Sequence, residues 1–212
     1  AVKIMFNIID IENWERKEHY YHYSNVNQCT YSITLKLEVQ NIVNSSFKFY
    51  PTMIYLISKT VNDIKEFKMS FEYSKLGYYD IVNPSYTIFN NNAKTFSSIY
   101  TEYNDDFNLF YNNCIEDIKT YSTTTSFSPK VCNIKNLFNI SSIPWVSFDG
   151  FNLNINNCFD YLPPIFTIGK YYNDSNKILM PIAIQVNHRV CDGYHIGLFV
   201  NNLKDNIVNL RT

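Results

Sequence analysis

The sequence predicts a single compact α/β domain, with a mixed β-sheet and helices packed against it in two layers. Three observations carry that expectation. Strand-like and helix-like patterns interleave along all 212 residues, no change of composition marks a linker, and two strand patterns near the C-terminus flank a turn short enough for a hairpin.

In chain order, residues 13–23 carry good helix formers behind Asn13, which could cap them. Residues 30–39 alternate, with Tyr31, Ile33, Leu35, Leu37 and Val39 on one side and Ser32, Thr34, Lys36 and Glu38 on the other, the pattern of a half-buried strand. Residues 50–64 place Pro51 near the first turn and Ile54, Ile57, Val61 and Ile64 at three- to four-residue spacing, which predicts an amphipathic helix. Residues 85–90, 148–155, 165–172 and 178–187 read as strands, the last two joined by a turn at 173–177. Residues 194–210 line up Ile196, Phe199, Val200, Leu203, Ile207 and Leu210 on one helical stripe. With five glycines, seven prolines and no fixed-period repeat, residues 1–212 read as one domain and a hexapeptide-repeat β-helix is excluded.

Hydrophobic residues make up 46% of the chain and aromatics 17%, ample for a packed interior. A net charge of -1 gives no electrostatic footprint for nucleic acid or an anionic membrane, whereas a small-molecule site needs none. Few charges also leave room for a subunit interface. The cysteines, Cys29, Cys114, Cys132, Cys158 and Cys191, are odd in number and scattered, without CxxC or Cys/His spacing, so reduced thiols and no metal are expected. The opening residues lack the pattern of a signal peptide, and no stretch approaches a membrane span. The expectation is a soluble cytoplasmic protein.

The sharpest signal is Asn187-His188-Arg189-Val190-Cys191-Asp192-Gly193, between the last strand pattern and the last helix pattern. Histidine is the side chain best suited to take a hydroxyl proton near neutral pH, provided one ring nitrogen is free and the other is held. A strand-to-helix junction projects such a side chain from a rigid support, and Gly193 would allow a tight turn there. Alone, the spacing fits equally a satisfied loop histidine followed by Asp192 as a helix N-cap.

The neighbourhood extends the signal. Residues 184–195 (Ile184-Gln185-Val186-Asn187-His188 through His195), 139–154 (Asn139-Ile140-Ser141-Ser142-Ile143-Pro144-Trp145 through Asn154), 164–171 (Pro164-Ile165-Phe166-Thr167 through Tyr171), 13–19 and 49–55 form five colinear blocks. Together they resemble the type A chloramphenicol O-acetyltransferases, inside the wider His-x-x-x-Asp-Gly class of CoA-dependent acyltransferases, over nearly the whole chain. The resemblance implies acetyl transfer from acetyl-CoA, as a co-substrate, to the primary hydroxyl of chloramphenicol, and hence antibiotic resistance. It implies no metal or prosthetic group, and a homotrimer with active sites between subunits.

It also assigns roles. His188 is the general base, Ser141 donates to the oxyanion of the tetrahedral intermediate, and Thr167 supports that intermediate through water. Asp192 is structural and pairs with Arg16. Tyr23, Tyr31, Phe96, Phe127 and Leu153 line the acceptor pocket, and Tyr171 lies near the CoA tunnel. Direct attack needs no serine nucleophile, in keeping with the lack of Gly-x-Ser-x-Gly. His19, His22 and His195 read as structural or surface residues. Two positions depart from the family pattern: Asn187 where a second histidine is usual, and Arg189 where a small apolar residue is usual. Arg189 is expected either to reach solvent or to compete with Arg16 for Asp192. Tyr31 and His22 add polar groups on the acceptor side, which leaves open the same mechanism on a different hydroxyl, and the changes at Asn187 and Arg189 leave open a non-catalytic drug-binding relative.

Overall fold

The computed structural model describes residues 4–155 and 159–210. In chain order the strands and helices are β1 (Phe6–Ile8), α1 (Lys17–Tyr21), β2 (Thr30–Glu38), α2 (Gln40–Val43), α3 (Phe49–Asn62), β3 (Met69–Glu72), β4 (Lys75–Tyr79), β5 (Asn83–Asn90) and β6 (Thr95–Tyr100). Then follow α4 (Phe107–Tyr121), β7 (Leu137–Ile143), β8 (Ile165–Gly169), β9 (Tyr172–Asp174), β10 (Lys177–Asn187) and α5 (Gly193–Val208). The main sheet runs β2-β10-β8-β7-β5-β6, with β9 added beside β10, and a small antiparallel sheet runs β1-β4-β3. β7 is parallel to both β5 and β8, while the other neighbours are antiparallel, so the sheet is mixed as expected.

β10 is the backbone of the site. It pairs with β2 over its C-terminal nine residues and with β8 in the middle, so Met180 to Asn187 are all buried. Its side chains alternate. Met180, Ile182, Ile184 and Val186 join the hydrophobic core, while Gln185 and Asn187 carry polar groups to the opposite face. The core side is filled by α3, which contacts both α4 and α5. Spacing alone suggested an amphipathic α3, but Met53, Tyr55 and Leu56 complete the circle and the helix is buried nearly all round. Its hydroxyls turn back on the preceding turn, Ser58 Oγ to Ile54 O at 2.6 Å and Thr60 Oγ1 to Leu56 O at 2.7 Å, which satisfies them inside the core.

Several expectations are corrected. The helix expected over 13–23 is confined to α1 and a following π turn, His22–Val26. Asn13 does not cap it: Asn13 ends a separate 3-10 turn and donates to Asp10 at 2.7 Å. Residues 148–155 form no strand. Their amides find side chains instead of a neighbouring strand, Phe151 N to Thr34 Oγ1 at 3.2 Å and Leu153 N to Gln185 Oε1 at 2.9 Å. The strand expected over 165–172 breaks after Gly169, and Tyr172 starts β9. Gly193 is not a conformational hinge, since no glycine among the described residues has positive φ and a Cβ there would meet nothing within 4 Å. Cys29, Cys114, Cys132 and Cys191 are free thiols; Cys158 lies outside the described residues. Among the described residues, no helix is long and apolar enough to cross a membrane and no side-chain cluster could hold a metal ion.

Candidate active site

His188 occupies the turn between β10 and α5. Its backbone N–H donates to Cys29 O at 3.0 Å, tying the turn to the chain entering β2. Its ring lies flat on Tyr23, centroids 4.0 Å apart at 10°, and is tilted against Tyr31 at 4.9 Å. Nδ1 is sealed from solvent and no protein acceptor holds it, so the expected hydrogen-bonded hold on the ring is not met and stacking on the tyrosines orients it instead, leaving Nε2 as the nitrogen to meet a reactant. The Tyr31 hydroxyl is also sealed; burial first, then Cys191 and Asp192, push its ionisation upward. Exposed His22 touches the ring edge of Tyr23.

The turn itself is rigid. Val190 N and Cys191 N both return to Asn187 O, at 3.2 and 3.0 Å. Asp192 caps α5 by accepting from Tyr194 N at 3.2 Å, and His195 Nδ1 reciprocates by accepting from Asp192 N at 3.1 Å, a capping box that makes His195 structural. Arg16 forms a partly buried ion pair with Asp192. Burial, the largest influence on Asp192, would raise its pKa, but the Arg16 hydrogen bond, His195, the Arg16 charge and the Tyr194 amide together bring it below the usual carboxylate value.

The expectation for Arg189 fails on both branches. The side chain neither reaches solvent nor competes for Asp192: it is only 8% exposed, donates to Asp160 Oδ1 at 3.0 Å and stacks over Phe159 at 3.8 Å. The apolar surroundings of Tyr20, Phe71 and Phe159 favour a planar guanidinium, which is weakly hydrated, over an ammonium.

Ser141 belongs to a second group. It lies on β7 opposite Thr167 of β8, which is opposite Ala183 of β10, which is opposite Thr34 of β2. Ser141 and its neighbour Ser142 both line a cavity of about 530 Å³ whose walls include Phe89, Phe96, Trp145, Ile168 and Tyr171. Phe127 meets Phe96 edge-on at 5.8 Å, on the rim. Thr167 is buried beneath Phe151 and Leu153, and Leu153 lines a separate groove with Tyr31 and Gln185. The residues of interest therefore divide. His188, Tyr23, Tyr31, Arg16 and Asp192 gather at one end of β10, while Ser141, Phe96 and Tyr171 surround the cavity. Ser141 and His188 are separated by two strand spacings and five residues along β10, roughly 15–20 Å. One chain does not bring them onto a single reacting carbonyl.

The family model described as chloramphenicol acetyltransferase matches residues 4–204. The chain belongs to the chloramphenicol acetyltransferase family. It is 50% identical over 212 residues to a chloramphenicol acetyltransferase of Clostridium perfringens, covering 98% of this chain and 97% of that protein. It is also 50% identical over 205 residues to one of Clostridium butyricum, covering 94% of each. A solved structure named chloramphenicol acetyltransferase matches with a TM-score of 0.85 at 23% identity, covering 96% of this chain and all of that one, and supports the fold. The protein is accordingly an acyltransferase with a chloramphenicol acetyltransferase fold. Sequence reasoning gave no role to Gln185 or Thr34, which anchor residues 151–153; the available signal was their alternation with core residues on strands β10 and β2.

Proposed function

We propose that the protein transfers the acetyl group of acetyl-CoA to the primary hydroxyl of chloramphenicol, at sites formed between copies of the chain, and so confers resistance. His188 Nε2 takes the hydroxyl proton as the oxygen attacks the thioester carbonyl carbon. Charge gathers on the carbonyl oxygen, where Ser141 of an adjoining copy donates a hydrogen bond and Thr167 supports the intermediate through water. The intermediate collapses with cleavage of the C–S bond, and the proton held by His188 passes to the departing thiolate. Tyr23, Tyr31, Phe96, Phe127 and Leu153 bound the acceptor, and Tyr171 lies on the CoA side.

The observation that carries the reading is His188 itself, clamped between two tyrosine rings on a hydrogen-bonded turn with only one ring nitrogen left to work. A base fixed in this way loses little orientation entropy when the acceptor arrives. The separation of Ser141 from His188 supports a site shared by two copies, and a closed homotrimer supplies it three times over. The test follows free thiol released from acetyl-CoA in the presence of chloramphenicol. His188→Ala is expected to fold and assemble but to lose about 10²–10⁴ in turnover. Full activity in that variant, or no drug-dependent thiol release by the unaltered protein, contradicts the reading.

A further inference from the structure

The two positions that depart from the family pattern, Asn187 and Arg189, converge on one short segment, and Gln185 continues the series. Asn187 Nδ2 donates to Phe159 O at 2.7 Å and Tyr161 O at 3.4 Å, while its Oδ1 accepts from Arg189 N at 3.1 Å. These bonds fix the orientation of the amide, because a flipped Asn187 would set donor against donor at Arg189. Arg189 grips the same segment through Asp160 and the face of Phe159. Gln185 Oε1 holds Leu153 N at 2.9 Å and is itself steadied by Ser32 Oγ at 3.2 Å.

We infer that Gln185, Asn187 and Arg189 form a comb of positioning residues. It fixes Leu153, which shares a groove with Tyr31, and braces that wall through residues 159–161 held against the turn of His188, and so sets acceptor affinity without taking part in bond making. The inference rests on the acetyl-transfer reading. Asn187 and Arg189 flank His188 in sequence, so base and wall hang from the same turn and keep their spacing as one unit. Within the comb the stack of Arg189 on Phe159 outweighs the ion pair. The Asp160 side chain is 84% exposed and its charge is screened, whereas the guanidinium contact is desolvated.

The test uses the intact protein, with steady-state kinetics for both substrates and amide hydrogen exchange read at Leu153 and at residues 159–161. Asn187→Ala strips buried hydrogen bonds and puts the fold at risk, so Arg189→Lys carries the decision, because it keeps the charge but loses the planar stack. Exchange at residues 159–161 and the KM for chloramphenicol should each rise about tenfold, part of the roughly thirtyfold that complete loss of a desolvated cation–π contact would give, because lysine keeps the charge. kcat, its pH profile and the KM for acetyl-CoA should stay within about twofold. Gln185→Ala should speed exchange at Leu153 and raise the chloramphenicol KM in the same selective way. Faster exchange with an unchanged chloramphenicol KM overturns the comb, as does an equal loss against both substrates or a fall confined to kcat. Unaltered protein that fails to acetylate chloramphenicol overturns the acetyl-transfer reading itself, a result separable from the others because no variant is needed to see it.

Discussion

At the scale of single residues, two side chains carry separable predictions. Ser141 is proposed to act only once charge develops on the thioester oxygen, so Ser141→Ala should lower kcat by about 10²–10³ and move either KM little. Ser142 stands next to it on β7, and its amide contacts Thr87 Oγ1 at 3.4 Å. Ser142→Ala should be mild; the reverse ordering in steady-state kinetics would shift the assignment by one residue. Asp192 holds the turn through Arg16 and the α5 cap, so Asp192→Ala should destabilise by about 1–3 kcal/mol in denaturant titration, from a lost cap and an orphaned guanidinium. Its pKa is lowered on folding, so its contribution is fully present above the unfolded value of 3.8 and is lost as pH falls through the lower folded value. The difference in stability between the unaltered protein and Asp192→Ala should therefore be flat near neutrality and shrink below about pH 4. The motif residues could be located from sequence because their spacing is local. The destination of Arg189 could not be, because Asp160 and Phe159 are nearly thirty positions away and only the fold brings them over the turn.

At the scale of elements, the sequence was most readable where periodicity was strong and the partner was the core. β2, β10 and α5 appear within a residue or two of their expected bounds. Residues 148–155 read as a strand on the apolar bulk of Phe148, Phe151, Leu153 and Ile155, yet the side chains of Thr34 and Gln185 capture two of their amides and no strand among the described residues pairs with them. α4 was missed because only Phe110 and Cys114 of its fifteen residues are buried. Its readable signals were Asp106, which caps Leu109 N at 2.9 Å, and the i, i+4 pair Phe110 and Cys114. The end of β8 offers an element-scale prediction. A Cβ on Gly169 would lie 2.7 Å from both the Phe148 ring and the Pro181 ring, and Pro181 belongs to β10. Gly169→Ala should cost about 1–3 kcal/mol by overpacking, visible as a lowered thermal midpoint. Lys170 and Tyr171 follow it on the cavity wall, so acetyl-CoA binding should weaken as well.

At the scale of the whole molecule, the division of the site governs everything else. Near-neutral charge and abundant aromatics made an interface plausible from composition, but composition says nothing of which face carries it. The register of the sheet gives only the separation within one chain: Ser141 and Thr167 share a row with Ala183, and His188 lies five residues beyond that row. Light scattering should give three times the mass of the chain, and dilution to monomer should abolish activity even where the fold survives. The most direct test refolds or co-expresses His188→Ala with Ser141→Ala. Each variant alone is nearly inactive, but a shared site can draw an intact histidine from one copy and an intact serine from another. Equal mixing should restore activity at about a quarter of the sites, well above either parent. A mixture no more active than the sum of its parents would contradict the account, because histidine and serine would then have to come from the same chain.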